Sequence, residues 1–271
     1  MGSFWFSVQD WHFNPRIYFV GFQDMAENVD CGEIARKLYE AVLEAIKPNQ
    51  PLLLYTGVEE GNALHPVLSS LGFREFQRVY SPTLNVKAFD LLSLAEAERE
   101  FLELGYSIRT LDDLELTDAL RRDLQHLFGE VYADTSTVVP ATPERFPLDR
   151  WWKDVMEDDD IIPEAFFIAF LGEEMIGSAN LLRGYLYPDS RGQELGTATF
   201  GTGRGYRHHH REIMLALKCR EIAYAKAQGY NRIRAEIDAE NPWIVQVCAE
   251  LPFVQSNDYI SMMRVLNWSH T

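Results

Sequence analysis

Apolar and aromatic residues recur along this chain at two periods, and the changes between them mark out its elements. FWFSVQ and IYFVGFQ flank DWHFNPR, whose Asn14-Pro15 suits a turn, so a hairpin is predicted. EIARKLYEAVLEAI then sets Ile34, Leu38, Ala41, Val42 and Ala45 on one helix face, and Pro48 to Pro51 ends that helix. LLLYTGV reads as a buried strand, NALHPVLSSL as a short helix and FREFQRVY as a further strand. Leu91 to Leu104 is helical and stops at Gly105.

The second half repeats these habits at greater length. YSIRTL predicts a strand, and LDDLELTDALRRDLQHLFGEVY one or two helices carrying Leu111, Leu114, Leu120, Leu124, Leu127 and Phe128. After the proline-rich stretch STVVPATPERFP, two strands turn at Gly172, and ELGTATFGT makes a third. The helix REIMLALKCREIAYAKA, the strand RIRAEID, the short helix NPWIVQVCAEL and a long final strand FVQSNDYISMMRVL complete the chain. Residues 1–90 are therefore expected to form a partial domain, 91–104 a helical linker and 105–271 a complete domain.

Two segments share an order and a spacing. Glu33-Ile34 and Glu212-Ile213 open helices, and Asn62 and Asn241 follow strands, at a common offset of about 179 residues. Leu71-Gly72-Phe73 matches Leu251-Pro252-Phe253 one residue further on. Each match alone is common, and their collinearity predicts a repeated strand–helix–strand–helix–strand unit.

Composition narrows the partners. A formal charge of −16 spread over 271 residues repels a phosphate backbone, so nucleic acid is not an expected partner, whereas a small cationic amine is compatible. Three cysteines without a C-x-x-C pair suit a reducing, cytoplasmic compartment. No apolar run approaches the ~18 residues of a membrane span, and the first residues carry no basic region followed by an apolar core, so neither membrane nor secretion is expected.

The run ALKCREIAYAKAQGYNRIRAEIDAEN, preceded by three antiparallel strands and followed by Leu-x-Phe, resembles the GNAT superfamily of N-acetyltransferases, especially members with two fused copies similar to mycothiol synthase. The resemblance covers most of Gly105 to Leu266. It implies an α/β (α+β) fold with a mixed sheet flanked by helices, one complete C-terminal copy and a partial N-terminal one. It also implies acetyl-CoA as co-substrate and a small-molecule amine as acceptor. In such a fold a strand diverges from its neighbour, and the turn before the next helix offers backbone N–H groups and a helix dipole to a pyrophosphate.

Relatives write that turn with glycines, Arg-Gly-x-Gly or Arg-Gly-x-Ala. Counting back from Ile213, its four positions here hold His209, His210, Arg211 and Glu212; a second register starts from Arg207 with two residues inserted. Imidazoles and Arg211 could contact phosphates directly, or the run could be a solvated cap in which Glu212 answers the helix dipole. A metal site is not expected, because three consecutive residues splay around the axis and no carboxylate or cysteine stands at ligand spacing.

By the same resemblance Thr202, Gly203 and Arg204 flank the thioester, and Asn241 contacts the pantetheine arm, although Asn241 before Pro242 is also an ordinary helix N-cap. Cys248 stands where relatives carry a proton-donating tyrosine, and equally suits a core. In the first copy Asp30, Cys31, Gly32 and Glu33 bring acid to the turn, so that copy is expected to be structural. Its opening hairpin should form a sheet edge that a partner chain, as in a homodimer, or the second copy covers. Two functions follow: acyl transfer to an amine, or a binding module without catalysis.

Overall fold

The computed structural model describes residues 3–8, 16–23, 31–134, 147–183, 193–254 and 258–266. Within them the chain divides into two compact units. The first is built from residues up to Val79 together with the C-terminal segment from Asn257, and the described residues of the second lie between Tyr80 and Ser256.

In the first unit the strands β1 (Ser3–Val8) and β2 (Ile17–Gln23) form the expected antiparallel hairpin, whose Asn14-Pro15 turn lies outside the described residues. Helix α1 (Cys31–Ile46) leads to β3 (Leu53–Glu59), α2 (Leu64–Ser70) and β4 (Arg74–Tyr80). β2 and β3 run parallel, as a strand–helix–strand crossover requires. The buried face of α1 is Ala35, Tyr39, Val42 and Ile46, whereas Ala41 and Ala45 are exposed. Larger side chains, rather than the alanines of the expected stripe, fill the space over the sheet.

The second unit opens with β5 (Thr83–Asn85), a 3-10 turn capped by Asp90, and α3 (Ala95–Glu103). There follow β6 (Tyr106–Thr110), α4 (Asp118–Tyr132) and α5 (Leu148–Trp151), which continues as a π-helical turn to Met156. The antiparallel strands β7 (Ile161–Leu171), β8 (Glu174–Arg183) and β9 (Glu194–Thr202) lead into α6 (His210–Ala227). Last come β10 (Arg232–Ala235), β11 (Ile237–Asp238), α7 (Pro242–Ala249) and β12 (Phe253–Val254). The main sheet has the order β12-β5-β10-β9-β8-β7-β6.

Two cores flank this sheet. Against one face lie Phe101 of α3, Ile213 and Leu217 of α6, and Val247 of α7. Against the other lie Leu124 and Phe128 of α4 with Trp151 and Trp152. Gly229 ends α6 in the left-handed conformation (φ 81°), and the next N–H, from Tyr230, reaches back 2.9 Å to the Ala225 carbonyl. Among the described residues no helix is long and apolar enough to cross a membrane.

Three expectations need correction. The final run is two strands, not one: β12 joins the second unit, while β13 (Tyr259–Val265) inserts between β3 and β4 of the first. Four polar residues, Gln255 to Asp258, separate the halves in sequence, and the available sheet edges decide which sheet each half joins. The stretch from Tyr80 to Leu104 is neither a domain end nor a linker, because Leu84, Val86, Phe89, Ala97 and Phe101 lie buried in the second unit's core. β5 takes the place between β10 and β12 that β13 takes between β3 and β4. The expected repeat is thus visible as β2-α1-β3-α2-β4 and β9-α6-β10-α7-β12, and the first unit's sheet is completed from the far end of the chain.

Candidate functional site

β9 and β10 pair in parallel from Glu194↔Arg232 to Thr197↔Ala235, and there the ladder ends. β9 runs on to Thr202. On its other side a register shift opposite Ser178 to Asn180 places one extra residue in β9, a bulge that increases local twist. Backbone groups of β9 beyond Thr197 therefore have no strand partner on the β10 side among the described residues. A small pocket lies beside this free edge. β9 contributes Phe200, Gly201 and Thr202, α6 contributes His210, α7 contributes Asn241, Trp243 and Ile244, and the end of α4 contributes Val131 and Asp134. Gly201 is needed there, because a Cβ would lie 2.6 Å from the Val131 side chain.

The parting of the strands is held from behind. Lys218 and Glu221 of α6 are 2% and 0% exposed and paired at 2.7 Å. Both grip Thr197, the last β9 residue of the ladder: Lys218 Nζ lies 2.6 Å from its Oγ1, which donates to Glu221 at 2.9 Å. Lys218 Nζ also sits 3.7 Å above the ring of Phe200, so it supports one side of a pocket wall. Burial pushes the Glu221 carboxyl up, and Lys218 and Thr197 oppose that shift.

The turn before α6 is not an open loop. Arg204–His209 form a 3-10 helix that runs directly into α6 at His210, so of the four positions counted back from Ile213 only His209 precedes α6. Its amides are used internally: Tyr206 N–H donates to the Gly203 carbonyl at 2.9 Å, and His210 N–H to the Arg207 carbonyl. Gly203 N–H donates to the Ile176 carbonyl at 2.9 Å. Arg204 N–H donates to Glu130 Oε2 of α4 at 3.0 Å.

The side chains of the run separate rather than converge. His208 is exposed and packs against His209 with the rings tilted by 50°, and His209 Nδ1 is 4.0 Å from Glu212. Arg211 is held by Glu250 at 2.6 Å and lies 3.5 Å from Glu100. Arg207 is held by both carboxylate oxygens of Asp134. His210 turns inward, 6% exposed, with Nδ1 2.8 Å from Thr202 Oγ1. Its Nε2 makes no hydrogen bond of ordinary geometry. Burial pulls its pKa down, more strongly than the Trp243 backbone and the Asp134 and Glu212 carboxylates raise it; Arg207 lowers it further.

Of the residues singled out from sequence, Thr202, His210 and Asn241 meet at the pocket. Gly203 and Arg204 stand just beyond it, with their amides occupied as described. Arg211, Glu212 and His209 lie along the helix start, and Ile213 is buried in the core. Asn241 caps α7, accepting from Trp243 N–H at 3.2 Å and Ile244 N–H at 3.3 Å, while also lining the pocket. Cys248 packs in the core and is not a lining residue, and burial pushes its thiol up to about 11. Sequence reasoning missed Glu130, Asp134 and Trp243. Glu130 lies in the last turn of α4 and Asp134 just past its end, and nothing in the sequence signals what either meets.

No protein-family model matches the sequence, and no curated protein matches it. Solved structures do. A tandem GNAT protein from the clavulanic acid biosynthesis pathway superposes with a TM-score of 0.63 at 13% identity, over 94% of this chain and 77% of that one. A GCN5-related N-acetyltransferase from Sphaerobacter thermophilus gives 0.63 at 10% identity, over 92% and 73%. The GCN5-related glucosamine N-acetyltransferase region of a fungal multi-domain GH3 β-N-acetylglucosaminidase gives 0.67 at 11% identity over 91% of this chain, which spans 29% of that protein. At these identities the likeness speaks for architecture, and the fold of this chain is that of the GNAT acetyltransferases.

Proposed function

We propose that the second unit is an N-acyltransferase that moves an acyl group, acetyl in the simplest case, from a coenzyme A thioester to the amine of a small molecule. The observation that carries this reading is the free edge of β9 beyond Thr197, bordered by a pocket. The amide-bearing pantetheine arm of a donor matches such an edge, because it can add hydrogen bonds where a strand is missing. The pyrophosphate does not match the turn, where Glu130 occupies the Arg204 amide and carboxylates hold Arg207 and Arg211.

In the reaction the amine nitrogen attacks the thioester carbonyl carbon, a C–N bond forms, and the C–S bond breaks. Holding the two reactants together supplies most of the acceleration, with backbone N–H groups of the β9 edge stabilising the oxyanion. Two titratable side chains line the pocket, and Asp134 is locked by Arg207. His210, kept neutral by burial, is the group to accept the amine proton. Cys248 holds its own proton too tightly and lies in the core, so solvent protonates the leaving thiolate. The test is titration with acetyl-CoA, followed by thiol release in the presence of a panel of small amines. Stabilisation and release support the reading, and no binding at millimolar acetyl-CoA defeats it.

One observation favours a second reading, a binding module without catalysis. A carboxylate of the chain itself sits on the amide of the turn. For such a module, acetyl-CoA would bind without releasing its thiol in the presence of any amine, or would not bind.

A further inference from the structure

The acidic end of α4 makes contacts at the turn that an anionic ligand would otherwise make. Glu130 Oε2 accepts from the Arg204 amide at 3.0 Å, and a side chain at Gly203 would put its Cβ 3.0 Å from the same oxygen. The missing side chain at Gly203 thus admits a carboxylate to the peptide. Glu130 Oε1 lies 3.7 Å from His126 on its own helix. Four residues on, both carboxylate oxygens of Asp134 accept from one guanidinium nitrogen of Arg207, Nη2, a charge-assisted contact. These groups are mostly shielded from solvent, with side-chain exposures of 26% for Glu130, 24% for Asp134 and 28% for Arg207.

The remaining charges of the turn follow the same pattern. Arg211 is held by Glu250 and Glu100, and Glu212 adds a further carboxylate at the helix start. Against the arginines at 204, 207 and 211 stand five carboxylates: Glu130, Asp134, Glu212, Glu250 and Glu100. An arriving pyrophosphate would meet a net negative surface and would have to displace Glu130 from the amide. The pocket beside β9 keeps its free edge and the unbonded Nε2 of the buried His210.

We infer that Glu130 and Asp134 are specificity-determining residues that hold the phosphate positions of the turn, so that the second unit recognises a thioester donor by its pantetheine arm and not by its pyrophosphate. This rests on the acyl-transfer reading and changes what the donor must carry. A donor whose arm lacks a pyrophosphate is as good a ligand as coenzyme A.

The experiment is calorimetric titration of the full chain with two probes, coenzyme A and phosphate-free pantetheine, for wild type, Glu130→Gln and Glu130→Ala. The glutamine keeps an oxygen for the Arg204 amide while losing the charge, so that its fold is preserved; the alanine also frees the amide. Wild type should bind the two probes within about threefold of each other. Glu130→Gln should strengthen coenzyme A about tenfold, Glu130→Ala at least as much, and neither should change pantetheine. A coenzyme A to pantetheine affinity ratio that stays the same in both variants overturns the inference while leaving acyl transfer intact. Failure of all three proteins to bind either probe at millimolar concentration overturns both.

Discussion

The two units place the same helix over the same parallel strand pair and fill the space between in opposite ways. α1 starts at Cys31 and α6 at His210, so Tyr39 and Val42 occupy the helix positions of Lys218 and Glu221. In the first unit that layer is apolar: Tyr39 and Val42 are buried with Val20 and Leu54, and Tyr39 meets Phe73 edge-on at 5.8 Å. In the second unit a fully buried ion pair grips Thr197. The architecture therefore does not require a buried ion pair at this level, although the Arg264 guanidinium lies 5.2 Å over the Tyr39 ring. Desolvating two ions costs about as much as their attraction returns, so the pair is a poor device for stability. Its value lies in where it pulls, at the residue where β9 parts from β10.

The largest effect should come from removing one ion. Lys218→Met leaves Glu221 buried without its partner, and should destabilise the chain by roughly 3–5 kcal/mol in urea unfolding. Burial already raises the Glu221 carboxyl, and losing Lys218 removes the largest opposing influence. A group raised in the folded state favours folding at low pH. The variant should therefore be most stable at acid pH and lose stability as pH rises through and above the ordinary carboxylate range, measured as urea midpoints at pH 5 and pH 8. Lys218→Met combined with Glu221→Leu makes this layer resemble the first unit and should recover most of the loss. A double variant as unstable as the single would break the comparison. If the clamp serves the edge of β9, the double variant should still lose affinity for acetyl-CoA.

A smaller effect tests what the units share. Asn62 Oδ1 accepts from Leu64 N–H at 2.9 Å, as Asn241 Oδ1 accepts from Trp243 N–H. Alanine at either position should cost about 1 kcal/mol. Only Asn241→Ala should weaken binding of acetyl-CoA, because only Asn241 lines the pocket. Equal effects on binding would remove the functional distinction between the copies.

The smallest effect concerns His210, whose pKa burial lowers. Its native state resists protonation, so its contribution to stability is present above the ordinary histidine range, near about 6.5, and is lost as pH falls through the lower folded value. His210→Gln should flatten that acid-side decline, read as melting temperature against pH.

The helices and long strands were legible because their apolar positions repeat over many residues, and the repeat emerged from the spacing of Glu-Ile, Asn and Leu-x-Phe. β5, three residues long, has too few positions to show a period. The polar stretch Gln255 to Asp258 marks the break between β12 and β13, but which sheet each joins depends on which edges are free, and local pattern carries no such information. At the site, the family resemblance places Thr202 and His210, and both that resemblance and the N-cap position before Pro242 place Asn241. Glu130 and Asp134 look like the solvated face of an amphipathic helix, and their pairing with Arg204 and Arg207 is created by packing across more than seventy residues. The burial of Cys248, which decides its chemistry, is likewise tertiary.

The insertion of β13 between β3 and β4 also sets an order of events. While the chain emerges from the ribosome, β3 and β4 are made about 180 residues before the strand that joins them, as their positions at 53–80 and 259–265 require. Until then each presents a row of unpaired amides and carbonyls, the kind of edge that recruits other strands. Pairings of such long sequence separation form slowly. The second unit, whose described residues all lie between Tyr80 and Ser256, can mature first, and the first-synthesised unit is the last to close. In crowded, nascent conditions the exposed β3 and β4 edges are where this protein is most open to misassembly or to a chaperone.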